Sequence, residues 1–294
     1  MLEISDLPPE SSSMMKLAIL LSFLGMATPL VGTAAEMTKL DRTPFFVTKV
    51  KVGNQLATML VDTGASDTVL FDWFATKSGL SISESNHRGT DSGGNSFKLR
   101  MATVSGISLG GKKKNTAMLP IVPTVSTFRE LNIGGIFSPL SFFEKEELLI
   151  DFPKRSLVSA SDAKNATLGR KPIAKLPLLP CGKKYAVNAK INGVSGLFYL
   201  DTGGQRSVVT EAFSKKLGSL IGTNGERQGV ASKRSVVSVS GVQLDFGGSV
   251  NPISIDIESK KIGCAPADGK LGNDVLGSYA LSFNSERTEL SLFE

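Results

Sequence analysis

The sequence is poor in the residues that build metal sites and nucleophilic triads. Its 294 residues include one histidine, two cysteines and one tryptophan. A single histidine excludes a site made of several histidines, and a Ser-His-Asp triad would have to use His87. His87 lies beside Arg88 in a polar stretch, which favours a solvent-facing loop residue. We therefore expect neither a metal ion nor a cofactor in this protein's chemistry.

A phosphate-binding loop and a long apolar run are also missing. Gly110-Gly111-Lys112 lacks the spacing of a glycine-rich loop that ends in Lys-Ser or Lys-Thr. The apolar stretch that follows Lys16 is shorter than the roughly 20 residues of a membrane-spanning helix, and Pro29 interrupts it. Small residues follow it, so it is typical of a secretory signal. No stable membrane span is expected once this segment is removed.

The signal peptide is predicted to cover residues 1–35, with cleavage after Ala35. Residues 1–13 carry acidic residues and no positive charge, which is wrong for the start of a signal, so we expect translation to begin at Met14 or Met15. A single membrane anchor is the alternative, and the absence of a cysteine near the cut argues against a lipid anchor. The segment predicts bacterial-type export, to the periplasm or outside the cell.

Both cysteines lie in the second half of the chain, at Cys181 and Cys264. In an oxidising compartment they could form a disulfide that ties the first strand of that half to a later segment. Two buried free thiols are the alternative. The sequence leaves both states open.

The triplet Asp-Thr-Gly occurs twice, at Asp62-Thr63-Gly64 and Asp201-Thr202-Gly203, each time directly after an apolar strand-like run. One such triplet is also a plausible surface turn. Two are hard to explain by chance, because Gly135 and Gly272 follow them at similar distances in similar segments. We therefore interpret the triplets as equivalent parts of two copies.

The residues around the triplets repeat in the same order. Each triplet is preceded by an alternating strand, a turn containing Gly and Asn, and a second apolar strand. A short helical segment follows it, at residues 71–79 and 210–218, and a closing strand comes later. Repetition at this long period indicates a duplicated domain. We predict an N-terminal lobe at 36–162 and a C-terminal lobe at 163–294, with a polar hinge within 160–175.

The string from Leu60 to Leu70 resembles the active-site loop of retropepsin-like aspartic proteases, and two copies in one chain resemble the two-lobed pepsin-like arrangement. The likeness extends over about residues 42–160 and 172–294. It implies an all-β fold of two homologous, closed barrel-like lobes related by a pseudo-twofold axis, with the active site between them. It also implies that Gly135 and Gly272 belong to the psi-shaped crossing behind each active-site loop.

The resemblance assigns catalysis to Asp62 and Asp201. Two adjacent carboxyl groups cannot both ionise easily, so they share one proton. One then acts as general base on a water while the other donates to the scissile carbonyl oxygen. In support of the loops, Thr63 and Thr202 would hydrogen-bond between them, and Gly64 and Gly203 would let the backbone approach the carboxylates. The expected activity is that of an aspartic endopeptidase with an acidic to mildly acidic optimum; which aspartate holds the proton stays open.

We expect a hairpin that follows each triplet in the chain to close over the bound substrate. The first tip, at 91–95, is rich in turn residues, and the second lies at 229–234. Neither contains the tyrosine of pepsin flaps, so both are closer to retropepsin flaps. Ordinary solvated hairpins are the alternative. The flap candidates are Ser92, Gly93, Gly94, Gly229 and Val230.

The two loops differ in the residues after the triplet. The first continues with Ala65-Ser66-Asp67 and the second with Gly204-Gln205-Arg206. Arg206 would either form a salt bridge outward or turn inward and lower the pKa of Asp201. If the protein lacks activity, we expect the cause to lie in the second loop.

We expect a monomer that acts on a protein or peptide substrate. Nothing in the sequence resembles a nucleic-acid module, and the formal charge of +6 is weak support for such a partner. Two alternatives stay open. One is a peptide-binding protein on the same fold without catalysis, and the other is a homodimeric protease in which each lobe pairs with its twin.

Overall fold

Alternating apolar and polar residues produce strands along most of the chain. The computed structural model describes residues 34–90, 96–228, 233–259 and 265–294. In chain order the strands are β1 Ala35–Lys39, β2 Phe46–Val52, β3 Gln55–Val61, β4 Val69–Phe71, β5 Ser81–Thr90, β6 Ser96–Leu109, β7 Lys112–Val122, β8 Ile133–Phe137, β9 Leu148–Asp151, β10 Ser156–Ser159, β11 Ala174–Pro177, β12 Leu179–Cys181, β13 Lys184–Ile191, β14 Val194–Leu200, β15 Ser207–Thr210, β16 Thr223–Gln228, β17 Lys233–Asp245, β18 Val250–Glu258, β19 Gly269–Leu271, β20 Ala280–Phe283 and β21 Glu289–Phe293.

The helices are short and lie between strands. The helical segments predicted at 71–79 and 210–218 are present as helices that begin one residue later, the second continuing as a 3-10 turn at Lys215–Leu217. None of the helices in the described ranges is long and apolar enough to span a membrane. Their bounds are α1 Asp72–Lys77, α2 Ser126–Glu130, α3 Pro139–Phe142, α4 Ser161–Thr167, α5 Glu211–Ser214 and α6 Asn273–Leu276.

Each half of the chain forms a closed barrel of the same topology. In the first half the strand order is β2-β3-β8-β4-β7-β6, and a further pairing of β2 with β6 closes the ring. In the second half the order is β13-β14-β19-β15-β18-β17, closed by β13 and β17. Strand for strand, the two orders correspond. The duplication seen in the sequence is therefore also present in the hydrogen bonding of the strands.

The barrel interiors follow from the alternation along each strand. In β2, Val50 and Val52 point inward and are fully buried, whereas Lys49 and Lys51 are exposed. Fully burying a side chain of this size stabilises the fold by about 1.5–3 kcal/mol. The turn after β2 has Gly53 at φ +56°, a conformation that glycine adopts without strain. Pattern and turn together set the β2–β3 register.

A third layer of six strands joins the two halves. Its order is β11-β21-β20-β9-β10-β1, with three strands from each half. The central pairing joins β9 to β20 and places Ile150 opposite Leu281, both fully buried. Because the two halves share this sheet, their barrels are held together by backbone hydrogen bonds and apolar packing.

The predicted polar hinge is partly helical. Helix α4 occupies 161–167, and its Ala163 is buried against β9 and β10 residues such as Leu149 and Val158. The polar residues of this segment lie on the outer side of a helix that packs on the shared sheet, a role that their composition alone did not indicate. The lobe boundary at residues 162 and 163 stays a prediction.

Most of the predicted signal peptide lies outside the described residues. Ala35 is the first residue of β1, where it is buried and pairs with Leu157 of β10. A cut after Ala35 would thus remove the first residue of a paired strand. The cleavage position and the export that it implies stay predictions.

Candidate active site

The two Asp-Thr-Gly triplets lie at the ends of equivalent strands. Asp62 follows β3, and Asp201 follows β14. The Asp62 backbone N–H donates to the carbonyl oxygen of Phe137 at 3.0 Å, and that of Asp201 donates to Leu271 at 2.9 Å. Each loop is therefore anchored to the parallel strand beside it, β8 in the first half and β19 in the second.

Crossed hydrogen bonds of two threonines hold the loops against each other. Thr63 and Thr202 are 139 residues apart in the chain, and both are buried. The Oγ1 of Thr63 donates to the carbonyl of Leu200 at 3.1 Å and accepts from the Thr202 N–H at 3.2 Å. The mirror set has Thr202 Oγ1 donating to Val61 at 3.0 Å and accepting from the Thr63 N–H at 3.0 Å. The arrangement brings the two triplets together within one chain.

The glycines of the triplets lie against the opposite carboxyl groups. The N–H groups of Gly64 and Gly203 donate to Asp62 Oδ1 at 2.6 and 3.2 Å. A Cβ on Gly203 would lie 2.2 Å from Asp62 Cγ, and one on Gly64 would lie 2.6 Å from Asp201 Oδ1. Any side chain at either position would displace a carboxyl group. The close approach of the loops therefore depends on both glycines.

A buried lysine, which sequence reasoning missed, contacts the second carboxylate. The Nζ of Lys270 donates to Asp201 Oδ2 at 2.5 Å, and the two side chains are only 4% and 7% exposed. Lys270 lies in β19, two residues before Gly272, one of the glycines predicted for the psi-shaped crossing. The available signal was a charged residue beside Leu271 in the segment that leads to Gly272.

The surroundings of the dyad give its two carboxyl groups different pKa values. Burial and the negative charge of Asp201 raise the pKa of Asp62 to about 7. Burial would also raise the pKa of Asp201, but the charge and hydrogen bond of Lys270, with a further contribution from Lys184, bring it below its usual range. The contact with Lys270 therefore favours the ionised form of Asp201, and burial favours the protonated form of Asp62.

The glycines predicted for the psi-shaped crossing are not equivalent to each other. Gly135 pairs with Met59 in β3, three residues before Asp62, and its counterpart by register is Gly269, which pairs with Phe198. Gly272 lies beyond Leu271, and its counterpart is Ser138.

Hydrogen bonds support this corrected correspondence. The Ser138 N–H donates to Thr68 Oγ1 at 3.1 Å, and the Gly272 N–H donates to Ser207 Oγ at 2.9 Å. Thr68 and Ser207 hold the same place in their loops. The match of Gly135 with Gly272 was wrong because counting along the chain ignores the different lengths of the hairpins between loop and crossing strand.

Arg206 acts on a neighbouring carboxylate, that of Asp274. Its positive charge acts on Asp274, which also accepts hydrogen bonds from the backbone N–H and the hydroxyl of Ser207. With Asp274 it lines a polar cavity of about 370 Å³, whose other residues are Pro44, Gln205 and Arg227. Arg206 is not among the groups that shift the pKa of Asp201, and the cation beside that carboxylate is Lys270.

The flap candidates Ser92, Gly93, Gly94, Gly229 and Val230 lie outside the described residues. The strands that flank them pair as antiparallel hairpins, up to Thr90 opposite Ser96 in the first half and Gln228 opposite Lys233 in the second.

Cys181 is disulfide-bonded. Cys264, the other cysteine of the sequence, lies outside the described residues.

Replacement of Thr63 by valine is expected to destabilise the protein. Valine keeps the shape of threonine but leaves the Leu200 carbonyl and the Thr202 N–H without this partner, at about 1–3 kcal/mol for each buried group. Urea unfolding of Thr63→Val measures the loss. Thr63→Ser, which keeps the hydroxyl, and Thr223→Val on an exposed strand should lose much less. Equal stability of Thr63→Val and Thr63→Ser would contradict the role given to the crossed bonds.

Comparison with known proteins agrees with this architecture. Residues 48–136 match the family model described as aspartyl protease. The chain is similar in structure to the aspartic proteinase from Irpex lacteus, with a TM-score of 0.54 and 14% sequence identity over 88% of this chain and 96% of that chain. A search of curated proteins found no match. The predicted fold class is confirmed, and the two matches support an aspartic protease family for this chain.

Proposed function

We propose, from the premise of an aspartic protease fold and family, that this protein is an aspartic endopeptidase that uses Asp62 and Asp201 to activate water. The observation that carries the proposal is the set of four crossed hydrogen bonds of Thr63 and Thr202, which holds together two loops from distant parts of one chain, each with its aspartate. A turn motif on a surface has no need of such bonds. A single chain also supplies both loops, so the proposal requires no second copy.

The chemistry follows from one shared proton. The ionised carboxylate removes a proton from a water molecule, whose oxygen attacks the carbonyl carbon of the peptide bond. The protonated carboxyl group donates its proton to the carbonyl oxygen and so stabilises the tetrahedral intermediate. Collapse of the intermediate breaks the C–N bond, and the leaving nitrogen takes the proton that came from water. The carboxyl group that was protonated at the start recovers its proton from the hydroxyl of the intermediate, so the dyad ends as it began.

The raised pKa of Asp62 sets the upper end of the active range. Above a pH of about 7 both carboxyl groups are ionised, and no proton is left for the carbonyl oxygen. Activity should therefore extend from acidic pH to near neutrality and fall beyond it. This range is wider than the acidic to mildly acidic optimum expected from the sequence.

Cleavage of an unfolded protein tests the proposal. We expect the purified protein to cut a denatured substrate at acidic to neutral pH, and a statine-containing peptide to block the cut because statine mimics the tetrahedral intermediate. Chelators and serine- or cysteine-directed reagents should have no effect. Cleavage that resists statine, or its absence at every pH, would contradict the proposal.

A second candidate is a peptide-binding protein without catalysis. The buried Lys270–Asp201 ion pair favours it, because a neutralising cation weakens a carboxylate as a base. Binding of the statine peptide, measured by calorimetry, without cleavage of any denatured substrate would select this candidate.

A further inference from the structure

The place of Lys270 in the fold is occupied by an apolar residue in the other half. Lys270 pairs with Tyr199, next to last in β14, and Ile136 pairs with Leu60, next to last in β3. Ile136 packs among apolar neighbours such as Phe71 and Val122. The two halves of the site are therefore electrostatically unequal at this pair of equivalent positions, with a lysine beside the second aspartate and an isoleucine at the corresponding place in the first half.

The second loop is shaped to admit the ammonium group. Its residue after the triplet is Gly204, whereas the first loop has Ala65. A Cβ on Gly204 would lie 2.8 Å from Lys270 Nζ and 2.7 Å from Asp201 Oδ2. An alanine there would force the ammonium or the carboxylate to move. The second half thus differs from the first at two positions, Lys270 and Gly204, and both differences are needed for the ion pair with Asp201.

Other charged groups near the dyad do not replace this contact. Lys184 acts on both Asp62 and Asp201, and its Nζ lies over the ring of Tyr199 at 4.9 Å. The groups that act on Asp201 are thus Lys270 from β19, Lys184 from β13 and Asp62 from the first loop. Within the described residues, Lys270 is the lysine that forms an ion pair with Asp201. The charges of Lys184 and Lys270 act on both aspartates, and it is the direct contact of Lys270 with Asp201 that distinguishes the two carboxyl groups.

We propose that Lys270 is a positioning residue that holds Asp201 as the ionised carboxylate and leaves the single proton of the dyad on Asp62. A buried ammonium without a counter-charge is strongly unfavourable, so the pair favours the charged form of Asp201. Asp201 then acts as the base toward water and Asp62 as the acid toward the carbonyl oxygen. This assignment rests on the proposed function.

The pH profile of peptide cleavage separates this role from a structural one. In Lys270→Met the acid limb of kcat/KM should move to higher pH by about 1–3 units, because a neighbouring cation lowers a carboxyl pKa by that amount. Gly204→Ala, which keeps the lysine but displaces its ammonium, should shift the limb in the same direction. Lys175→Met, which removes a lysine from an exposed ion pair with Glu289, should leave it in place. An acid limb in Lys270→Met that coincides with wild type overturns the proposal.

A titration of the unmodified protein tests the same proposal if the Lys270 and Gly204 variants fail to fold. Carbon-13 NMR of protein labelled at aspartate side chains, with Asp62→Asn used to assign the Asp62 signal, follows the dyad directly. We expect Asp62 to take up its proton near neutral pH and Asp201 to stay ionised well below it. Titration of Asp201 above Asp62 would overturn the proposal. The titration needs no cleavage. If the protein proves inactive, the proposed function is refuted, and the titration still decides which of the two aspartates holds the proton.

Discussion

Replacement of Asp62 by asparagine is expected to slow peptide hydrolysis by about 100- to 10,000-fold, the usual contribution of a general acid or base. The amide oxygen can still accept from the N–H groups of Gly64 and Gly203, as Asp62 Oδ1 does. The amide NH2 can donate to Asp201 in place of the acid proton. The variant therefore keeps the geometry of the protonated dyad but cannot deliver a proton to the substrate.

The measurement is the initial rate of cleavage of a fluorogenic peptide at mildly acidic pH. Asp67→Asn is the matched control, because Asp67 lies in the same loop but forms an exposed ion pair with Lys183. It should retain most of the wild-type rate. An Asp62→Asn variant that is folded and cleaves as fast as wild type would remove Asp62 from the mechanism.

Asp62 is a more informative position than Asp201 for this test. Replacing Asp201 by asparagine would leave the ammonium of Lys270 buried without its counter-charge. Breaking a buried pair from one side costs about 3–5 kcal/mol. A loss of activity in Asp201→Asn could then follow from unfolding, whereas a loss in Asp62→Asn could not.

The same Asp62→Asn substitution is expected to stabilise the protein at neutral and alkaline pH. The pKa of Asp62 rises from 3.8 to about 7 on folding, so between these values the folded protein holds a proton that the unfolded chain has released. The stability that this proton provides is complete below pH 3.8 and is lost as the pH rises to about 7. At about 1.4 kcal/mol for each pKa unit, the loss is roughly 4 kcal/mol at most, because Asp62 is partly exposed. Asparagine does not ionise and avoids it.

Urea unfolding at about pH 4 and about pH 8, followed by tryptophan fluorescence, measures this difference. Asp62→Asn should exceed wild type in unfolding free energy at the higher pH and match it closely at the lower one. The contribution of Asp201 to stability has the opposite pH dependence, since its lowered pKa provides stability that is lost only at strongly acidic pH. Asp67→Asn again serves as the control. An equal difference between Asp62→Asn and wild type at both pH values would contradict a raised pKa for Asp62.

The sequence by itself determined the duplicated all-β fold and the residues that form the two loops. The information is local, because the strand, the turn and the triplet found around Asp62 occur again around Asp201. The alternation of apolar and polar residues specifies which face of each strand is buried. The threonines and glycines of the triplets were predictable for the same reason, since each lies within two residues of an aspartate in the chain.

Only the tertiary structure decided how the two halves differ. Gly135 and Gly272 lie at similar distances along the chain from their aspartates, but the sheet register makes Ser138 the counterpart of Gly272. Lys270 is far from Asp201 in sequence, and only the parallel pairing of β14 with β19 places its ammonium on that carboxylate. Chain order carries no direct information on such contacts, because they depend on strand pairing between distant segments. The identity of the two aspartates was therefore readable from the sequence, whereas the location of their proton depended on a residue that folding alone brings to the site.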